Sequence, residues 1–261
     1  GGVQRAAYKP WVNELAKKLN YQPNAIALSL KNSKSYTIGV IIPETVHYFF
    51  STVISGIEDV AYDAGYNIMI CQSNELYDRE KSVANMLYSN RVDGLLVSLA
   101  KETTEFGHLQ FFQNNNIPVV FFDRGTDAFE CDQIVIDDYA AAFSIVDYLI
   151  QQGHRKLIHL AAPQHLDIGF NRKRGFIDAL AKHGLPFSED QVYFADKFDS
   201  ATERVEEIIA SGNLPDGIFA VNDLTALGAM KALKKHKISI PEDIGLAGFG
   251  NGQNAILTDP P

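Results

Sequence analysis

Cysteine is nearly absent: Cys71 and Cys131 are the only two in 261 residues and form no CxxC pair. This rules out a disulfide framework or a paired-cysteine zinc site and points to a reducing compartment. No apolar stretch approaches the roughly 20 residues that span a bilayer, and the first residues lack the charged-then-apolar layout of a signal peptide. Catalytic signatures are missing too. There is no GxxxxGK[ST], HExxH or GxSxG, and Gly248-Phe-Gly250-Asn-Gly252 fails GxGxxG because Gln253 stands at the third glycine position. The seven histidines show no metal-ligand spacing. No metal, cofactor or enzymatic turnover is expected, and the chain reads as built to bind.

Positive charge is heavily outnumbered after residue 34. Residues 1–34 hold Arg5, Lys9, Lys17, Lys18, Lys31 and Lys34 against Glu14 alone, giving +5, and with the whole chain at -9 the remainder carries -14. So acidic a body repels polyanions, which leaves nucleic-acid affinity to the N-terminal piece. Within it, Pro23 and the Ala/Ile/Leu run to Leu30 suit a helix of about two turns, too short to stand in water without a partner. An apolar wedge among basic side chains fits a DNA minor groove; an ordinary linker has the same composition.

Trp11, Val12, Leu15 and Leu19 share one face of a helix expected over 11–19, with Asn20 as a left-handed stop. From Thr37 the pattern changes. Strands are expected at 37–42, 67–71, 94–98, 118–122, 133–136, 157–161, 192–194, 217–221 and 244–248. Helices are expected near 49–64, 78–90, 107–114, 139–152, 170–183, 200–210 and 223–235. Most of the strands are apolar on both faces, as in a parallel sheet under helices. Strand, long helix, glycine and strand recur around 37–71 and 157–194, predicting two similar α/β lobes at 36–137 and 138–256. One larger doubly wound sheet is the alternative.

In such sheets ligands sit beyond the carboxyl ends of the strands. The residues there are His47-Tyr48-Phe49-Phe50, Gln72-Ser73-Asn74, Asp123-Arg124, Asp137-Asp138, Arg172, Phe198, Asn222-Asp223 and Gly250-Asn251. Carboxylates, an arginine and an asparagine can bond vicinal hydroxyls or a heterocycle edge, while aromatic faces pack on a ring. Each also has a second explanation. Phe49 and Phe50 fit a helix core, Asp123, Asp137 and Asp223 fit caps, and Arg172 fits a surface cation beside Lys173 and Arg174.

Tyr21-Gln-Pro-Asn-Ala-Ile-Ala-Leu-Ser-Leu30, Thr37-Ile-Gly-Val-Ile-Ile-Pro43, Arg91-Val-Asp-Gly-Leu-Leu-Val97, Ile117-Pro-Val-Val, Gly153-His-Arg155, Ala220-Val-Asn-Asp223, Ile240-Pro-Glu-Asp-Ile244 and Gly248-Phe249, with Asp123-Arg124, Arg172 and Gly175-Phe176, occur in one order. Together they resemble the LacI/GalR family of bacterial transcriptional regulators. The resemblance implies two Rossmann-like, parallel-sheet lobes of periplasmic-binding-protein type that dimerise, preceded by a hinge helix and a helix-turn-helix domain. It assigns residues 1–20 to the end of the DNA-binding domain, 21–35 to hinge and linker, and 257–261 to the start of a crossover to the first lobe. Leu30 would wedge into operator DNA, with Asn24, Ala27 and Lys31 beside it. Effector contacts would fall on Phe49, Phe50, Asp123, Asp137, Arg172, Phe198 and Asn222. Asn251 would compensate for Gly250, where sugar- and purine-binding relatives carry aspartate. Leu28 stands where many relatives are polar or basic. The implied protein is a cytoplasmic homodimer, not bound to a membrane, whose partners are operator DNA and a small carbohydrate effector. Most of the helix-turn-helix is missing, and the sequence reads as incomplete at both ends. The lobes would also suit an extracytoplasmic solute-binding protein of a sugar transporter, but the basic segment ahead of them favours the regulator.

Overall fold

Val40, Ile41 and Ile42 are wholly excluded from solvent, and three consecutive buried aliphatic residues require a strand covered on both faces. They lie in β1 (Thr37–Ile42) of a computed structural model that describes residues 11–21, 34–45 and 48–260. β1 joins β2 (Asn67–Gln72), β3 (Gly94–Val97), β4 (Val119–Phe122) and β5 (Asp132–Ile134) in a parallel sheet of order β2-β1-β3-β4-β5. A second parallel sheet, of order β7-β6-β8-β9, contains β6 (Leu157–Ala161), β7 (Val192–Phe194), β8 (Gly217–Ala220) and β9 (Gly245–Ala247). Two sheets without a shared strand replace the single larger sheet.

Strand alternation divides each lobe into two cores. Val40 and Ile42 meet Phe122 and Phe50, the latter from α1 (Tyr48–Asp63). Ile41 points the other way, into a cluster with Phe121, with Leu87 of α2 (Tyr77–Ser89) and with Leu109 of α3 (Gly107–Asn114). In the second lobe Ile158, Leu160 and Ile218 pack with Val205 of α6 (Phe198–Ser211) and Leu233 of α7 (Asp223–Lys235). Leu157 and Phe219 pack with Val146 of α4 (Asp138–Gln151) and Phe176 of α5 (Asp167–Lys182). Truncating any of these large side chains would remove about 3 kcal/mol or more of stability.

His159 shares the α4/α5 face of β6. Its ring stacks on Phe219 at 4.6 Å and on Phe176 at 5.6 Å, and its Nδ1–H donates to the Phe219 carbonyl at 3.0 Å. Burial lowers its pKa to about 4, so the ring is neutral and behaves as a core aromatic.

The chain reaching β1 is clamped. Asp93, just ahead of β3, accepts from Ser35 N at 2.8 Å, Ser35 Oγ at 3.1 Å and Tyr36 N at 2.9 Å. Upstream, residues 11–18 are helical, and Trp11, Val12, Leu15 and Leu19 are exposed along one face. Asn24, Ala27, Leu28, Leu30 and Lys31 of the expected hinge, and His47, lie outside the described residues. Among the described residues no helix is long and apolar enough to cross a membrane.

Some boundaries differ from expectation for identifiable reasons. β5 stops at Ile134, where its register with β4 ends (Phe122↔Ile134), and leaves Val135 and Ile136 exposed. α5 begins at Asp167 rather than 170. Gly169 permits this, because a Cβ there would lie 2.2 Å from the Pro163 carbonyl oxygen.

Candidate functional site

The strand order reverses between β1 and β3 in one lobe and between β6 and β8 in the other, and the carboxyl ends beside these points carry the polar side chains. After β4, Asp123 takes a left-handed turn (φ 63°) that directs Arg124 beneath the loop following β3. Arg124 grips both oxygens of Glu75, Nη1 to Oε2 at 2.7 Å and Nη2 to Oε1 at 3.0 Å, and its Nη1 also donates to Leu99 O at 2.9 Å. Burial pushes the Glu75 carboxyl up, but the bonds and charge of Arg124, with help from Lys101, outweigh it and hold the group below the usual range. The same loop hangs on a second buried carboxylate. Glu80 accepts from Ala100 N (2.7 Å), Thr103 Oγ1 (2.8 Å) and His108 Nε2 (2.9 Å).

So anchored, the loop reaches the other lobe. Lys101 Nζ lies 2.6 Å from Asp196 Oδ2, just past β7, and the Lys101 carbonyl accepts from His165 Nε2, past β6, at 2.5 Å. A third approach brings Tyr48 of α1 against Gly252, where a Cβ would sit 3.6 Å from the ring.

On the second lobe Arg172 is buried at the foot of α5. Its Nε and Nη2 converge on one oxygen, Asp138 Oδ1, at 2.8 and 2.7 Å, Nη1 donates to the Val221 carbonyl, and the guanidinium lies 3.5 Å over the Phe249 ring. Burial dominates this pair. It raises the Asp138 carboxyl and lowers Arg172, so desolvation is not fully offset by the pairing. Asp123 faces both arginines. Burial raises its carboxyl despite the opposing charges of Arg124 and Arg172, and the Ser98 hydroxyl donates to it at 3.3 Å.

The expected residues divide accordingly. Asp123 and Arg172, from different lobes, are close enough to feel each other's charge. Asn222 follows Val221, whose carbonyl Arg172 engages, and has its side chain engaged on the backbone, Oδ1 accepting from Thr225 N (2.8 Å) and Nδ2 donating to Asp196 O (3.2 Å). Phe49 is half exposed, edge-on to Phe50 at 5.2 Å. Phe198 is partly buried, with the Lys231 ammonium 5.0 Å over its ring, and Asn251 is exposed in a left-handed turn. Two residues turn out otherwise. Phe50 is 4% exposed, a core residue edge-on to Phe122. Asp137 is exposed and caps α4 by accepting from Ala140 N at 2.9 Å, while its neighbour Asp138 holds Arg172. The signal for Asp138 was in the helix period, since it shares the buried stripe of Ala142, Val146 and Leu149. Glu75, Glu80, Ser98, Lys101 and Asp196 also went unread. Asp223, adjacent to the Asn222 cap, accepts from Gly252 N at 2.6 Å and ties down the glycine loop.

The profile described as "Periplasmic binding proteins and sugar binding domain of LacI family" matches residues 35–260. The chain is 32% identical over 253 residues to the HTH-type transcriptional repressor PurR of Vibrio atlanticus strain LGP32, covering 96% of this chain and 75% of that protein. It is likewise 32% identical to PurR of Vibrio cholerae O1 strain M66-2, covering 96% and 74%. The crystal structure of transcription regulator CcpA of Lactococcus lactis superposes with a TM-score of 0.79 at 22% identity, covering 86% of this chain and 82% of that one.

Proposed function

This chain belongs to the LacI family of transcriptional regulators, and on that premise we propose that the junction between its lobes is the effector site that sets operator affinity. The effector is a small polar molecule of carbohydrate type. Asp123, Arg172 and Asn222 make its polar contacts, and Phe49, Phe198 and Asn251 line the mouth. Asp138 and Phe249 hold Arg172 in place. The observation that carries this reading is the polar junction built from both lobes, where Lys101 pairs with Asp196 at 2.6 Å and Asp123 offers a carboxylate hydrogen-bonded, among the described residues, only by Ser98 at 3.3 Å. A ligand bonded there favours one relative orientation of the lobes, and in a dimer that orientation sets the spacing of the two DNA-binding segments. Leu30, with Asn24, Ala27 and Lys31, forms the minor-groove contact. The repressor relatives support a regulator over a transporter's solute-binding protein.

The test is selection of genomic DNA fragments by the full-length regulator, then anisotropy titration of the selected fragment with and without the ligand found by thermal shift. Ligand binding that leaves DNA affinity unchanged overturns the reading.

A further inference from the structure

The charge balance of the cleft restricts its ligand. Three cations at the junction already hold a carboxylate, whereas Lys197 and Lys231 beside Phe198 hold none among the described residues. Arg124 is held by Glu75 at 2.7 and 3.0 Å, Arg172 by Asp138 at 2.8 and 2.7 Å, and Lys101 by Asp196 at 2.6 Å. Phosphate recognition draws on an unspent guanidinium, an ammonium or free amides at a helix N-terminus. At two helix starts an amide is spent as well. Ala140 N at the start of α4 serves Asp137, and Thr225 N at the start of α7 serves Asn222. α5 has no side-chain cap but opens with Asp167, whose carboxyl is pushed up by burial and by Asp127 and Asp138. The loops that follow the strands contain nine carboxylates and only three cations, Lys101, Arg124 and Lys197, so the surroundings repel anions. Lys197 is exposed where α6 begins.

Asp123 is left over. Its carboxylate has a hydroxyl donor in Ser98 at 3.3 Å, and Arg124 Nε stays 3.8 Å away, outside hydrogen-bond reach. Such a group accepts from paired hydroxyls.

We propose that the cleft takes an effector without negative charge, an unphosphorylated sugar or polyol whose hydroxyls donate to Asp123, and that it rejects the phosphate esters of the same molecules. This rests on the effector reading of the cleft given above.

The experiment titrates the 261-residue chain with matched pairs of free sugar or polyol and phosphate ester, by thermal shift and then calorimetry, with inorganic phosphate as a competitor. A free sugar binds, its ester binds about tenfold more weakly or worse, and phosphate does not compete. Asp123→Asn weakens the free sugar about tenfold and narrows the gap to the ester, because the repelling charge is gone while the shape remains. An ester that matches or exceeds its parent overturns the proposal, as does competition by phosphate or a panel in which no uncharged member binds. The regulator reading is scored separately. A tightly bound ester that alters DNA affinity defeats only the charge rule, whereas a bound free sugar without effect on DNA defeats only the regulator.

Discussion

Lys101 and Asp196 form an ion pair at 2.6 Å between loops of different lobes, and Lys101 lies 3.8 Å from Glu75, the carboxylate that Arg124 grips. The pair is a latch for the observed lobe arrangement, held on the first lobe by a buried platform. Lys101→Ala is expected to cost the arrangement about 1 kcal/mol and to change effector affinity about fivefold. The exchange Lys101→Asp with Asp196→Lys restores much of it. Small-angle scattering and calorimetry on the three variants check this; wild-type behaviour of Lys101→Ala would dismiss the latch.

Two neighbouring aspartates are expected to differ sharply. Asp138→Ala strands a buried guanidinium and costs about 3 kcal/mol or more, whereas Asp137→Ala removes one helix cap and costs about 1 kcal/mol. Urea unfolding of both variants gives the ranking directly, and equal losses would mean that Arg172 finds another partner.

His159 predicts a pH dependence. Its folded pKa of about 4 lies below the ordinary value of 6.5, so between these values the unfolded chain binds the extra proton. Its contribution is therefore complete above about pH 6.5 and declines as the pH falls toward 4, by up to about 3 kcal/mol. Asp138 and Asp123, whose carboxyls are raised, act in the opposite sense, so the comparison must be differential. His159→Phe is expected to show a flatter melting-temperature profile than wild type between pH 4 and 6.5, and parallel profiles would refute the assignment.

The Asp93 clamp makes a separable prediction. Asp93→Ala frees Ser35 and Tyr36 from the start of β3 while leaving the cleft intact. Effector affinity should stay at the wild-type value, while the effect of ligand on DNA binding in the full-length protein shrinks by about 1 kcal/mol of coupling. A loss of effector affinity in calorimetry would contradict this.

The lobes were legible because Val40, Ile41 and Ile42 leave no polar face, and a doubly covered parallel strand fits such a run. The cleft was half legible. Asp123 lies where β4 runs out and Arg172 in the helix that follows β6, positions readable from the alternation of elements. Asp137 and Asp138 were read as a pair beyond the fifth strand, and their roles could not be separated because two adjacent acids at a helix start look alike until the helix period is applied. Glu75 and Glu80 resemble the solvated acids common in first helical turns. What makes them structural is Arg124, His108 and the loop after β3, all far off in sequence. Lys101 and Asp196 are 95 positions apart, and no local pattern joins them.

The two sheets share no strand, and each is sealed by its own pair of cores. Neither lobe can bend cheaply, so work done at the cleft emerges as rotation of stiff bodies. Asp93 fixes the incoming chain to one of those bodies. Because Ser35 and Tyr36 are tied to Asp93, on the regulator reading proposed above any turn of the first lobe is passed directly to the segment ahead of β1.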